Sequence, residues 1–434
     1  MDELIRSRLH DALDIEPPPP YLRSRIISSL PAAEHPIRRP APSFLWARPW
    51  VAAMLAAAVI AGFIYVGRAI GPQPAHNRPP SEVTPATLVS PEGVAIAPDG
   101  SLYFSDHVSS YVFRRLPDWS VETVAGTRPT ASISEGDAGM GGPATRAYLF
   151  GPWALAFDRT GNLFIADGDA HRIRRVDRNG VITTIAGTGP AEVGMGAFGG
   201  DGGPATAARL NVPIGIALDG QGVLYIGDVL NGRIRRVDKR GTITSLDNSM
   251  LPMPRSQFRP GYLTFDSNGN LYVMSVDIVP WQPTGNGCEI LRRTPGGIWS
   301  SVAGTGVCGF NGDGGKATSA EISGGGGIAF DSAGNLYFAD TGNHRIRRVD
   351  RNGFITTVAG TGTAGFSGDN GPGTKAELGF PRGLAMSSYD LLYIADDADD
   401  SLTPSGTGRI RQLTIHNGTI NTLVSSTTPI RTSG

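Results

Sequence analysis

The stretch Gly151-Pro-Trp-Ala-Leu-Ala-Phe-Asp158, Gly161-Asn-Leu-Phe-Ile-Ala-Asp167, His171-Arg-Ile-Arg-Arg-Val-Asp177, Gly180-Val-Ile-Thr-Thr-Ile-Ala-Gly187 decides the fold. It holds four short runs of β-branched and aromatic residues, each bounded by Gly, Asp or Asn. Runs this short, with turn formers at their ends, read as four strands and not as helices. Asp177-Arg-Asn-Gly180 predicts a hairpin turn, the glycine supplying positive φ. A nearly identical copy occupies Gly327 to Gly360, and weaker copies start near Pro91, Pro213, Pro260 and Pro381. Four-stranded units repeated six times need neighbours on both faces, which closure into a ring provides. The expected fold class is therefore all-β, a six-bladed β-propeller over residues 89–426. Two modes of closure stay open: complete first and last blades alone, or an added strand from Thr87-Leu-Val89.

The unit resembles the NHL repeat, whose opening Pro-x-Gly-Val-Ala, core Gly-Asn-Leu-Tyr-Ile-Ala-Asp and close Asn-x-Arg-Ile are matched at Pro91–Ala95, Gly161–Asp167, Gly334–Asp340 and Asn343–Ile346. The joining segments Gly200-Asp-Gly-Gly-Pro-Ala-Thr206, Gly312-Asp-Gly-Gly-Lys-Ala-Thr318 and Gly368-Asp-Asn-Gly-Pro-Gly-Thr374 resemble those of teneurin-like and bacterial NHL proteins. The resemblance implies an NHL/TolB-like propeller that binds a protein or small ligand. Some relatives are lyases, and one bacterial group holds the propeller outside a membrane as a sensor.

The rest of the chain has a different character. From Pro49 to Gly67 no residue is charged, and Trp46, Trp50 and Tyr65 lie near the ends of this apolar run. As a helix it would span about 28 Å, close to the thickness of a bilayer core. A cleaved signal peptide is the rival reading, but 48 residues precede the run and no small-x-small site follows it. Arg38, Arg39 and Arg48 on one side against Arg68 and Arg78 on the other point the N-terminus inward. The expected order is a cytoplasmic tail with two short helices (1–48), a transmembrane helix (49–69), a Pro-rich linker (70–88), the propeller (89–426) and a C-terminal tail (427–434). The cell membrane, crossed once, with the propeller extracytoplasmic, is the expected location. A formal net charge of −1 gives no general pull toward nucleic acid, and none is expected as a partner.

In such a ring the 2–3 turns and the blade-joining loops emerge on one face, which carries the longest insertions and where ligand contact is expected. Asp106, Asp167, Asp228, Asp340 and Asp396 close the second strands and would gather at the channel mouth. They would bind a cationic ligand there, or accept hydrogen bonds from their own turns. Asp201, Asp313 and Asp369 in the joining loops would meet a cation, or simply set a turn. Trp281, in the insertion 276–284, is a candidate contact, and Asp397, Asp399 and Asp400 are candidate ligands for Ca²⁺ or ordinary loop residues. No cofactor beyond that is expected. His107, His171 and His344 share the face, but they assemble no zinc site of the lyase kind and no catalytic residues are assigned. An extracytoplasmic lyase or hydrolase is the alternative function. Cys288 and Cys308 flank strands three and four of one blade at the same end, so a disulfide is expected, with two free thiols as the alternative.

Overall fold

The computed structural model describes residues 88–127, 141–189, 196–254, 256–276, 286–397 and 408–431. The expected tail, membrane helix and most of the linker lie outside the described residues, as do Trp281, Asp399 and Asp400. Among the described residues no helix is long and apolar enough to cross a membrane.

Six antiparallel sheets succeed one another along the chain. Blade one is Pro91–Ile96, Leu102–Asp106, Tyr111–Arg115 and Val121–Ala125; blade two is Pro152–Phe157, Leu163–Asp167, Arg172–Val176 and Ile182–Ala186. Blade three is Pro213–Leu218, Leu224–Asp228, Arg233–Val237 and Ile243–Ser245; blade four is Pro260–Phe265, Leu271–Ser275, Asn286–Arg293 and Trp299–Val307. Blade five is Ile328–Phe330, Leu336–Asp340, Arg345–Val349 and Ile355–Ala359; blade six is Phe380–Met386, Leu391–Asp397, Arg409–Thr414 and Thr419–Ser425. The first strands contact one another in cyclic order, blade six against blade one included, so the ring is closed and they line its axis.

The repeat's Pro-x-Gly opening has a packing cause. A Cβ on Gly215 would stand 2.0 Å from the Gly261 carbonyl, and one on Gly383 would stand 2.3 Å from that of Glu92. Inner strands of adjacent blades thus approach backbone to backbone, which only glycine permits. Farther out the blades bury apolar side chains between them. Phe104, Phe113, Ala395, Ile410 and Val424 fill the seam between blades six and one.

Closure uses a strand that the repeat pattern does not announce. Ile430–Arg431 pairs in parallel with Val121–Glu122 on the outer edge of blade one, and the Val121 N–H donates to Pro429 O at 3.1 Å. The expected C-terminal tail is thus partly a strand, and it satisfies backbone groups that blade one would otherwise leave on an open edge. The linker boundary moves as well. Leu88 is fully buried in the same seam, and Gly408 N–H donates to Val89 O at 3.2 Å. Both ends of the ring sequence therefore meet at this seam.

Candidate functional site

The aspartates that close the second strands are wholly buried, and their partners occupy them. Asp228 accepts from Asn211 N–H at 2.7 Å, from Asn231 Nδ2 at 2.9 Å and from Arg235 Nη1 at 3.1 Å. Arg235, itself 0% exposed, also donates to Asp201 Oδ1 at 2.8 Å and to the carbonyls of Arg209 and Gly199. Arg347 repeats this bridge between Asp340 and Asp313, and Arg411 between Asp396 and Asp369. Phe198 and Phe310, three residues before Asp201 and Asp313, each lie 5.0 Å from the bridging guanidinium. Asp167 pairs with Arg174 at 3.0 Å, while Asp106 in blade one accepts from the backbone N–H groups of Val89, Ser90 and Ser109. Burial raises Asp228 to about 6, and its three donors hold it from going further, so it is a carboxylate at neutral pH. Burial and the neighbouring Asp397 raise Asp396 to about 8, Arg411 standing back at 3.9 Å.

This geometry replaces the expected carboxylate ring at the channel mouth. Burial leaves the five aspartates no surface for a ligand; Asp106 braces blade one against the entering segment at Val89 and Ser90, and the other four brace their blades against the preceding joining loops. The cation that meets Asp201, Asp313 and Asp369 is the chain's own arginine. The segments after them, Pro204-Ala-Thr206, Lys316-Ala-Thr318 and Pro372-Gly-Thr374, enter single 3₁₀ turns, Ala205–Ala207 for example, whose buried first residue wedges between outer strands. His171 and His344 are pins of the same kind: the His171 ring accepts from Val212 N–H at 3.0 Å, and His344 contacts Gly379 O. Asp397 is 5% exposed and accepts from the Ser90 hydroxyl at 2.8 Å across the closing seam. Among the described residues no three His, Cys, Asp or Glu side chains group as metal ligands.

What the structure does gather on the loop-bearing face is a polar cluster at the axis. Glu92 of blade one is 3% exposed; Arg382 Nε of blade six stands 3.5 Å from its Oε1, and the Tyr262 hydroxyl of blade four stands 3.4 Å from its Oε2. Beside it His107 Nε2 lies 3.3 Å from Asp169 of blade two, and the His107 ring meets Trp153 edge-on at 4.8 Å. His107 Nδ1 and Trp153 Nε1 are buried without a hydrogen-bond partner among the described residues. Burial raises Glu92 from 4.5 to about 7, against the pull of Arg382 and His107. Burial would lower His107, but the bond to Asp169 and the charges of Asp169 and Glu92 outweigh it and move the ring upward. An acid raised to about 7 and a histidine raised above its usual value therefore share one site, where Glu92 can hold or release a proton near neutrality.

Two further features stand apart. An open cleft of about 940 Å³ lies on the opposite face between blades four and five, but its Asp266, Asp331 and Asp350 carboxylates are engaged by their own turns. In blade four Cys288 and Cys308 form a disulfide with Cα atoms 5.2 Å apart. Blade four is also where Ser275 and Leu291 stand in place of the aspartate and arginine of the bridges. Replacing both cysteines by serine should cost about 2 kcal/mol of stability in denaturant titration, and reductant should lower the wild type equally. A wild type indifferent to reductant would contradict this.

The family model of the teneurin NHL domain matches residues 116–195, 194–260 and 302–367. The ring is a teneurin-type NHL propeller. Teneurin-m of Drosophila melanogaster is 28% identical over 363 residues, 75% of this chain, and Teneurin-3 of Danio rerio is 32% identical over 347 residues, 71% of this chain. The chain spans 12% of the length of each of these teneurins. An auxiliary nutrient binding protein from Bacteroides thetaiotaomicron is similar in fold, at 16% identity over 72% of this chain and 68% of that one, with a TM-score of 0.51. Within this teneurin-type ring the sequence reading missed the bridging arginines and the axial Glu92, Tyr262 and Arg382. The arginines had a signal, the second arginine of the Arg-Ile-Arg motif, which follows the strand-two aspartate by 7 residues for Arg235 and Arg347, although the insertion in blade six hides the same spacing for Arg411. The axial residues had none, because each sits at a position that differs from blade to blade.

Proposed function

We propose that this NHL propeller is a binding module that takes a protein or small ligand at the axial end of its loop-bearing face. The observation that carries the reading is the convergence of Glu92, Tyr262, Arg382, His107 and Asp169 from four blades, beside which the buried His107 Nδ1 and Trp153 Nε1 have no hydrogen-bond partner among the described residues. Buried polar groups without partners are uncommon and favour a ligand that supplies them. We further propose that residues 49–69 hold the propeller outside a membrane. The uncharged run from Pro49 to Gly67 and a disulfide suited to an oxidising compartment support this.

Proximity labelling from the propeller in intact cells tests the binding site. Partners captured by the wild type should be lost from a Glu92→Gln, Arg382→Ala variant; identical captures would overturn the axial site. Stoichiometric zinc in the purified chain would instead favour the lyase alternative. Protease added to intact cells should digest the chain beyond residue 70. Complete protection of that region would overturn the topology.

A further inference from the structure

Opposite the aspartate position near the end of each second strand stands one recurring position of the third. In blades two, three, five and six that pair is Asp167 with Arg172, Asp228 with Arg233, Asp340 with Arg345 and Asp396 with Arg409. These arginines fill one recurring slot at the blade's outer rim. Arg233 lies over Phe198 at 4.5 Å, Arg345 over Phe310 at 3.8 Å and Arg409 over Phe366 at 4.5 Å. Arg172 and Arg345 donate to the carbonyls of Thr188 and Thr361 at 2.9 and 2.7 Å. A Cβ on Gly189 or Gly362, one residue beyond those threonines, would fall on the guanidinium, at 2.4 or 2.3 Å from its nitrogens.

Blade four reverses the charge. The pair there is Ser275 with Glu289. Thr305 and Gly306 stand where Thr188 and Gly189 stand, and the nearest atom to a Cβ on Gly306 is Glu289 Oε1, at 3.8 Å. Among the described residues no side chain fills the slot that a guanidinium fills elsewhere, and a carboxylate stands at its edge. Glu289 is 8% exposed and its Oε2 has no hydrogen-bond partner among the described residues. Burial raises its pKa, a hydrogen bond with Ser301 opposes this, and no cation among the described residues contributes. The insertion 277–285 contains no Lys, Arg or His. Thr305 and Val307 are exposed, so the slot opens to solvent. A buried carboxylate that meets no counter-charge among the described residues is costly, and a guanidinium offers the planar donors that best match it.

We propose that blade four binds an arginine side chain presented by a partner polypeptide, with Glu289 accepting from its guanidinium in the slot that sister blades fill with an arginine of their own. The site is distinct from the axial cluster, so the two stand or fall separately.

The probe is N-acetyl-L-arginine methylamide, with its uncharged citrulline counterpart as control, titrated against the full 434-residue chain by calorimetry or saturation-transfer NMR. The arginine probe should saturate, and the citrulline probe should bind at least about tenfold more weakly. Glu289→Gln should weaken the arginine probe by a similar factor while raising the melting temperature, because the buried charge is gone. Equal binding of the two probes, undiminished binding to Glu289→Gln, or no saturation by the arginine probe up to about 10 mM would each overturn the proposal. Glu289→Gln leaves Glu92 and Arg382 in place, so this readout is independent of partner capture at the axis.

Discussion

Arg347→Leu is expected to cost about 3–5 kcal/mol, the range for removing one partner of a buried ion pair. The guanidinium has no exposed surface and every direction of its fork is used. Nη2 donates to Asp313 at 2.8 Å and to Asn311 O at 2.8 Å; Nη1 donates to Glu321 O at 3.0 Å and faces Asp340 at 3.5 Å. Leucine would fill part of the volume but leave Asp340 buried without its cation, together with two loop carbonyls. Asp313, 37% exposed, would turn to water and lose little. Lysine should not rescue, because one ammonium cannot span two carboxylates and two carbonyls. Blade four supplies the informative control, since it carries serine and leucine at the same two positions. The double variant Asp340→Ser, Arg347→Leu should therefore recover part of the loss, as removal of the second charge ends the desolvation penalty. Denaturant titration of the three variants measures the coupling. A single variant within about 1 kcal/mol of wild type would mean that the bridge braces nothing.

The same bridges show where sequence reading reaches and where it stops. Strand number, blade number and the hairpin turns were legible because each is written locally and repeated, Gly161-Asn-Leu-Phe-Ile-Ala-Asp167 against Gly334-Asn-Leu-Tyr-Phe-Ala-Asp340. The acidic positions were legible too, but their role was not. Asp201 and Arg235 are 34 residues apart, and only the path of the joining loop along the next blade's outer hairpin brings them together. Ile430–Arg431 is too short to carry a strand signature, and its pairing follows from an unfilled edge on blade one. Glu92 and Tyr262 are 170 residues apart and meet only because blades one and four face each other across a closed ring. Repetition thus reveals the scaffold, while the candidate site consists of departures from repetition, which one sequence cannot distinguish from drift. Glu289 belongs to the same class: an arginine position turned acidic is visible in the sequence, but its empty slot is not.

Glu92 should make the stability of the ring fall as pH rises from about 4.5 toward 7. Its pKa is raised by burial from 4.5 in the unfolded chain to about 7 in the fold. Below 4.5 the carboxyl is protonated in both states and its contribution is fully present. Between 4.5 and 7 the unfolded chain releases the proton while the folded chain keeps it, so stability is lost as pH climbs and levels off above 7. At about 1.4 kcal/mol per pKa unit, the loss across that window is about 3 kcal/mol. Arg382 and His107 pull the pKa down, and Asp397 pushes it up; the Tyr262 hydroxyl donates to the ionised form. Other buried acids, Asp228 and Asp396 among them, slope the same way, so the wild type alone does not isolate Glu92. The difference between wild type and Glu92→Gln does. Glutamine keeps the shape and a hydrogen-bonding head but cannot ionise, so the variant should gain on the wild type steadily from pH 4.5 to 7 and by a constant amount above it. A difference that stays flat over that interval would show that Glu92 titrates normally. The slope has a functional counterpart, because a cluster that exchanges a proton near neutrality presents a neutral acid to its ligand on one side of pH 7 and a carboxylate on the other. Partner capture that depends on Glu92 should change across the same interval, and Glu92→Gln should remove that pH dependence.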